Sequence, residues 1–584
     1  MTSVTNWPFP EVARHSRSFV DEKPLRDEES LKEDVLTKGD TTLVVGSTDL
    51  FDEYGQIRLI PMPSPDPKDP LNLPNWRKWV AIGVLCFFGS LALSAEIVIG
   101  GLIPIFLLEY AGLDPRTIKE VDFVAQSGGS GATLNPLAVI PQGVTPPDLG
   151  RVSLLATVPL LANGIASYFL VPLSIAIGRR PVLLLTGAMA WGGGLLAALS
   201  TSLDSHLAAR ALQGLGAGAV EALIPLIVQD MVFIHQRNKA MSAIVSSQGI
   251  IIIGLGISAP YVAANFTWRW LYYITSGFGI LAWFLLIAFL PETRWTRSPE
   301  ELSGQKVHPV SFGQNRPDLD FNAYTPRTTW TNVGVFQFGF EFKNAGKSML
   351  DTLRTTIFPA VIWAVLANSI FIIVNQAAAQ LSSFVLLAQG WEFQYTGLSV
   401  IPFVAASGLV YLLGGPVADR VSNAVTRRYG GAREAEHHLP NLVLPFVSGI
   451  AGVFIFGWAG QNNVHWAVLL FGSFLIIFAF LTVMTVLNVF IVESYPMWAG
   501  PVLVNVSSLR IITAFFLASE VTTWVAEKGL LGTFVIYAEV MIVVSLGIPA
   551  LFFGGKKLRQ LTAGSVRAKM PAKMVDDSMS ERSV

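Results

Sequence analysis

Long apolar runs separated by short polar joints dominate the chain from about residue 76 onward. Six fall near 79–107, 153–177, 182–200, 206–232, 241–264 and 271–290, and after a polar stretch six more lie near 357–380, 396–415, 441–459, 465–492, 501–524 and 532–554. Each matches the ~20 helical residues that cross a hydrocarbon core, where a helix satisfies its own backbone hydrogen bonds. Six plus six predicts an all-α membrane protein, twelve transmembrane helices in two pseudo-symmetric six-helix bundles. The predicted divisions are a flexible cytoplasmic tail (1–75), a first bundle (76–290), a central loop (291–355), a second bundle (356–555) and a second tail (556–584).

Composition supports this reading. The chain is 52% hydrophobic and 14% charged, against about 25% charged in soluble domains. Basic and acidic residues nearly cancel, with 40 Lys and Arg against 41 Asp and Glu, so nothing in the balance points to nucleic acid. The single cysteine, Cys86, lies inside an apolar run; without a partner it forms no intrachain disulfide or cysteine metal site and is read as packing. The first residues carry charges and prolines rather than a short apolar core before a cleavage site, so the first span is expected to act as the membrane address.

Charge location orients the chain. Lys and Arg are retained on the cytoplasmic side during insertion. Arg179 and Arg180 follow span 2, Arg237 and Lys239 span 4, Arg294 and Arg297 span 6, and Arg420, Arg427 and Arg428 span 8, whereas the opposite loop Gly460–Val464 has no basic residue. Both termini and the central loop are therefore expected to be cytoplasmic. The long segment Glu109–Gly150, rich in Gly, Pro and Ser, falls outside and reads either as a cap over the outer mouth or as a disordered loop.

In span 4 the residues Arg210-Ala-Leu-Gln213-Gly214-Leu-Gly216-Ala-Gly218 resemble the fourth-helix signature of the major facilitator superfamily. Between spans 2 and 3, Val171-Pro-Leu-Ser-Ile-Ala-Ile-Gly178-Arg179-Arg180-Pro181 resembles that superfamily's loop signature, and Gly415-Pro-Val-Ala-Asp419-Arg420 between spans 8 and 9 is a degenerate second copy. Asp69-Pro-Leu-Asn-Leu-Pro-Asn-Trp76, Trp268-Arg-Trp270, Pro291-Glu-Thr-Arg-Trp295 and Tyr495-Pro496 look like fungal members of the drug:proton antiporter group. The resemblance implies two bundles rocking around a cavity lined mainly by spans 1, 4, 7 and 10. Two departures matter: Ile175 replaces the acidic residue of the first loop motif, and the fifth-helix antiporter signature is degenerate as Gly256-Ile-Ser-Ala259-Pro260-Tyr-Val-Ala263, which leaves the direction of transport open. Asp230 at the end of span 4 remains available to Arg179 or Arg180, and Glu493 stands at the matching end of span 10 near Asp419 and Arg420. These groups are expected to latch the inside-closed state; the bland alternative is solvated ion pairs worth only ~0–1 kcal/mol.

An ionisable side chain at the bilayer centre costs about 2.5–3.5 kcal/mol on insertion scales and so needs a partner, water or a function. Arg210 and Glu221 lie eleven residues apart, which at ~100° per residue returns them to nearly one face with a separation of ~16 Å. With Gln213 and Gly214 they are expected to form a polar stripe along the central cavity. Glu96 on span 1 is placed to pair with Arg210, and Glu221 or Glu96 is a candidate proton carrier, since desolvation favours the neutral carboxyl. In the second half Asn375, Gln376 and Gln380 on span 7, Asn488 on span 10, and Asn505 and Arg510 on span 11 are candidate substrate contacts. Fixed interhelical hydrogen bonds, worth about 0.6 kcal/mol each, are the alternative for all of them. Glu520 and Glu539 are intramembrane by position, without a face argument.

Other patterns carry less. Gly346-Lys347-Ser348 has Glu341 where a phosphate-binding loop requires glycine. Glu434-Ala-Glu436-His437-His438 reads as a solvated loop rather than a metal site, and Asn265-Phe-Thr267 is a glycosylation sequon close to the bilayer. No cofactor, metal or catalytic triad is predicted, so the chain does not read as an enzyme. The leading function is export of a small organic molecule, a drug-like compound or secondary metabolite, by proton antiport and alternating access. The carrier is read as a monomer in the plasma-membrane bilayer. Proton-coupled uptake of a nutrient or polyamine and a non-transporting nutrient sensor are the alternatives.

Overall fold

The computed structural model describes residues 59–119, 136–141, 143–298, 301, 307–309, 316–337, 339–412, 417–428, 435–495 and 498–567. Among them twelve helical spans are long and apolar enough to cross a membrane. Spans 1 to 6 are Asn75–Tyr110, Leu149–Ile177, Arg179–Ala198, Leu203–Met231, Ser247–Asn265 and Trp268–Phe289. Spans 7 to 12 are Pro359–Ala388, Phe393–Val410, Ala435–Gln461, Trp466–Ser494, Gly500–Ala518 and Val521–Arg559. Twelve crossings put both described ends and the central segment on one side, called here the tail side; the other is the far side.

Local chemistry sets the span ends. The Asp148 carboxylate accepts from Gly150 N at 2.9 Å and starts span 2. Ser202 and Ser205 bond reciprocally to start span 4. Such caps satisfy amide groups that the first helical turn leaves unpaired. Within the first half the glycine stripe of span 4 allows backbone approach: a Cβ on Gly214 would lie 2.3 Å from Pro159 O of span 2, and one on Gly216 would lie 2.4 Å from Ala190 N of span 3. Small residues at such crossings replace side-chain interdigitation, because lipid supplies no hydrophobic force between helices.

The duplication is visible in the packing. In the first half span 4 packs on spans 1, 2 and 3, span 1 on spans 5 and 6, and span 3 on span 6. Adding six to each number gives contacts that also occur: span 10 on spans 7, 8 and 9, span 7 on spans 11 and 12, and span 9 on span 12. Two main seams join the halves, span 2 with span 11 and span 5 with span 8, and exchange under the same operation; span 1 also touches span 7. The fold is therefore two repeated six-helix bundles, as the spacing of apolar runs predicts.

The tail side is more ordered than the sequence implies. Residues 59–74, expected within the flexible tail, are packed, with Ile60, Met62, Leu71 and Leu73 buried. Asp69 is the reason: its carboxylate meets Arg297 through two hydrogen bonds of 3.0 and 2.6 Å and accepts from Ser64 N and Leu71 N. Arg327 of the central segment donates to Pro67 O and Lys68 O. The central segment is likewise structured, ending in a helix, Phe342–Thr355, that packs on spans 2 and 11. Glu436, His437 and His438, read as a solvated loop, are buried. Glu436 pairs with Arg559 at 2.6 Å and His438 lies 3.1 Å from Glu493, stitching the start of span 9 to the ends of spans 12 and 10. Residues 1–58 and 568–584 lie outside the described residues.

Candidate functional site

Two buried arginines organise the middle of the molecule. On span 4, Arg210 is fully buried and is consumed by neighbours in its own half. Its Nε donates to Leu155 O of span 2 at 3.1 Å, and Nη1 donates to Ala95 O of span 1 at 3.0 Å and to Gln213 Oε1 at 2.5 Å. A guanidinium offers five N–H groups in a fixed fork, so three elements are tied to one side chain. The Glu96 side chain, its expected partner, lies outside the described residues.

The second arginine behaves differently. Arg510 of span 11 donates from Nη2 to Glu221 Oε2 of span 4 at 2.6 Å, so this pair crosses from one half to the other. Arg510 is 3% exposed and Glu221 20% exposed at the side chain, and the buried Arg510 Nε has no hydrogen-bond partner. Glu221 lies ten residues from the tail-side end of its span at Met231 and Arg510 ten from the start of its own at Gly500. At ~1.5 Å per residue both sit about 15 Å deep, near mid-membrane. Beside them the seam is tight: a Cβ on Gly164 of span 2 would come within 3.0 Å of Ser508 O.

The predicted stripe is thus divided between two compartments. Gln213 lines a narrow crevice among spans 1, 3 and 6 together with Trp191 and Ser276, and Gly214 backs onto span 2, while Glu221 alone faces the other half. Period alone cannot distinguish these destinations, because a helix surrounded by others buries every face. On span 7, Gln376 and Gln380 are buried and Asn375 is half-buried; both side-chain polar atoms of Gln380 lack partners. Gln380 abuts Gly100 of span 1, and Ser383 donates to Gly101 O at 2.9 Å, so spans 1 and 7 meet toward the far side. Asn488 is half-buried on span 10. Asn505, proposed as a substrate contact, is instead a joint. Its Nδ2 donates to Thr352 O at 2.6 Å and Thr355 Oγ1 at 2.8 Å, and its Oδ1 accepts from Tyr168 and Thr356.

The expected tail-side latch takes another form. Arg179 pairs with Asp230, but both belong to the first half, linking the start of span 3 to the end of span 4. Arg180 donates to Asn332 O at 2.5 Å and Ile287 O at 2.6 Å. The residue that sequence reasoning missed is Glu292. Its carboxylate accepts from the backbone amides of Arg179, Arg180, Thr293 and Arg294 at 2.8–3.2 Å, so it caps span 3. Gly178 makes room for it, with φ of +111° and a Cβ position 2.5 Å from Glu292 Oε2. The quoted motif Pro291-Glu-Thr was the available signal. Nearby Glu341 bonds Asn344 and pairs with Arg294 at 2.5 Å, and these, the Asn344 bond first, hold its carboxyl below the usual range. In the second half Arg420 is exposed, the Asp419 side chain lies outside the described residues, and Glu493 meets His438. Asn265 has its amide engaged with Tyr261 O and Gln394 and its carbonyl with Lys119.

A repeated pair of six-helix bundles, joined by two seams and crossed at mid-membrane by a buried ion pair, is the architecture of a secondary transporter rather than of an enzyme. The family model described as Major Facilitator Superfamily matches residues 80–508, and the chain belongs to that superfamily of transporters, whose members move small molecules. Efflux pump radE of Floropilus chiversii is 24% identical, covering 89% of each chain. An uncharacterised transporter of the superfamily from Schizosaccharomyces pombe is 22% identical over 87% of this chain and 89% of its own. Among solved structures, the xylose transporter XylE from E. coli aligns with a TM-score of 0.53 at 14% identity, covering 81% of this chain and 97% of its own; this likeness shows the fold.

Proposed function

We propose that the chain exports a small organic molecule, a drug-like compound or secondary metabolite, in exchange for protons, with Glu221 as the proton-binding group. The observation that carries this reading is the Glu221–Arg510 pair across the two halves. Removing one member of a buried pair leaves an uncompensated charge, so protonating Glu221 frees Arg510 and weakens the link between the halves. A substrate carrying a positive charge or a hydrogen-bond donor takes the same Glu221 carboxylate in place of the proton, and in either case Arg510, whose Nε already lacks a partner, is released. Proton and substrate thus compete for one charge pair, the minimum that exchange requires. Asn375, Gln376 and Asn488 are assigned to the pathway as neutral contacts. Arg210 and Gln213 hold the first half together while it moves, and Glu96 remains a second candidate carrier.

Export is supported by relatives named as efflux pumps, radE among them. The loops rich in Lys and Arg fall on the tail side, which supports cytoplasmic termini, and the plasma membrane follows from the exporting role. Arg179, Arg180, Asp230, Asp419, Arg420 and Glu493 are assigned to tail-side gating as stiffeners of each half rather than as a strap between halves.

The test is proteoliposomes holding the purified chain and a pH-sensitive dye, challenged with a panel of amphiphilic compounds under an imposed proton gradient. Compound-dependent proton flux is expected for the natural chain and is expected to vanish in Glu221→Gln. Undiminished proton-driven flux in that variant removes Glu221 as carrier.

A further inference from the structure

The helix Phe342–Thr355 sorts its residues by angle. At ~100° per residue, Phe342, Leu353 and Leu350 fall in one arc of about 80°, and Lys343, Arg354 and Lys347 occupy the next ~40°. Both groups are exposed. The opposite side, Ala345, Thr352 and Thr355, is buried where the helix packs on spans 2 and 11. Phe340 stacks on Phe342 with ring centroids 6.0 Å apart and is exposed as well, extending the apolar face. Exposed Ile357 continues it to Pro359, where span 7 begins. A helix that runs directly into a span lies at the edge of the bilayer, which puts this face within reach of lipid.

We propose that Phe342–Thr355 is an interfacial anchor which sets Phe342, Leu350 and Leu353 among acyl chains and reads anionic lipid headgroups with Lys343, Lys347 and Arg354. An apolar arc bordered by cations is the arrangement that binds an anionic leaflet, with the apolar residues in the acyl boundary and the cations at headgroup level. The anchor reaches the transport machinery through Asn505, which bonds Thr352 O and Thr355 Oγ1 on the helix while accepting from Tyr168 of span 2. Asn505 also lies five residues before Arg510 on span 11. Anionic lipid therefore stabilises the contact between spans 2 and 11 that Tyr168 and Asn505 make. The inference adds regulation by lipid to the transport reading, and its readouts need no substrate, so either can fail alone.

The experiment uses the full chain in nanodiscs of phosphatidylcholine, alone or mixed with phosphatidylserine. Spin labels at Leu353→Cys and, separately, Asn344→Cys, in a Cys86→Ala background, report insertion. The Leu353 label is expected to be accessible to oxygen and shielded from a water-soluble nickel complex, and the Asn344 label the reverse; equal water access at both overturns insertion. Phosphatidylserine is expected to raise the thermal midpoint of the natural chain. Replacing Lys343, Lys347 and Arg354 by Gln one after another should weaken that response by roughly five-fold in apparent lipid affinity per cation. Lys343→Arg should keep it, and salt should suppress it. An unchanged phosphatidylserine response in the triple Gln variant overturns the recognition of anionic lipid.

Discussion

Breaking the Glu221–Arg510 pair from one side should cost more than replacing both partners together. Arg510 is 3% exposed at the side chain, with an Nε that already lacks a partner, whereas Glu221 is 20% exposed. Stripping one charge from a buried pair costs about 3–5 kcal/mol. Partial access of water to the pair at Glu221 brings the cost below that of a fully buried pair, so Glu221→Leu is expected to destabilise by roughly 2–3 kcal/mol, a 30- to 150-fold shift in the unfolding equilibrium. Arg510→Met leaves the more exposed carboxylate behind and should cost somewhat less. In Glu221→Leu/Arg510→Met no charge is stranded, and apolar replacement of a buried pair is often neutral or better. The coupling between the two sites, both single costs with almost none left in the double variant, should therefore be about 4 kcal/mol. Thermal unfolding of all four proteins in one detergent closes the cycle, with shifts of roughly 2–4 °C per kcal/mol or less for a chain of this size. Additivity within about 0.5 kcal/mol, the behaviour of independent sites, would refute the claim that a desolvated ion pair joins the halves.

Three further outcomes follow from the geometry. Glu292→Ala strands the four backbone amides that its carboxylate accepts from and should cost about 1–3 kcal/mol; Gly178→Ala, strained at φ of +111° and driven into Glu292, should lower the thermal midpoint as well, and an unchanged midpoint in both would dismiss the cap. Asp69→Asn breaks the paired bonds to Arg297, so limited proteolysis should cut residues 59–74 faster than in the natural chain, while equal rates would mean that this clamp does not hold the segment. Gly397→Ala places a Cβ 2.7 Å from Gly256 O; overpacking of ~1–3 kcal/mol at this far-side seam should increase labelling of a cysteine introduced on the far side in a Cys86→Ala background, and no increase would mean that the seam does not resist opening.

Apolar length carried the fold. Every predicted span has a counterpart among the twelve helices, because the constraint that makes a span, backbone hydrogen bonds satisfied without water, acts locally and leaves its mark in each run. Span 1 shows the limit: it extends from Asn75 to Tyr110, beyond its apolar run, since packing decides where a helix stops. Residues of the site were legible as types but not as partners. Glu221 and Arg510 were both picked out as costly charges, yet their pairing across 289 positions depends on the seam between spans 2 and 11, for which a single sequence has no period or motif. Asn505 looked like a ligand contact for the same reason: an amide with every group satisfied and one awaiting a substrate are the same letter. Asp69 was hidden by its setting, because proline-rich polar stretches ordinarily stay unfolded, and Arg297 from a distant segment, with the amides of Ser64 and Leu71, offsets the burial of its charge.

The seams set the ion pair in its place between the halves. Between spans 5 and 8 the approach is backbone to backbone, with Gly397 against Gly256 O and Ile257 O, and between spans 2 and 11 Gly164 meets Ser508 O. Side chains fill the same glycine sites, Ile512 at Gly164 and Val400 at Gly256, so both seams are closely packed. Besides this close approach, polar groups reach across between the halves. On span 11 these are Arg510, through Glu221, and Asn505, through Tyr168. The first is broken by a proton or a competing ligand and the second is tied to the helix at the bilayer edge. On the proposed reading, one span carries both the charge assigned to proton coupling and the amide tied to the helix Phe342–Thr355, so a change at either contact is expected to shift the same equilibrium.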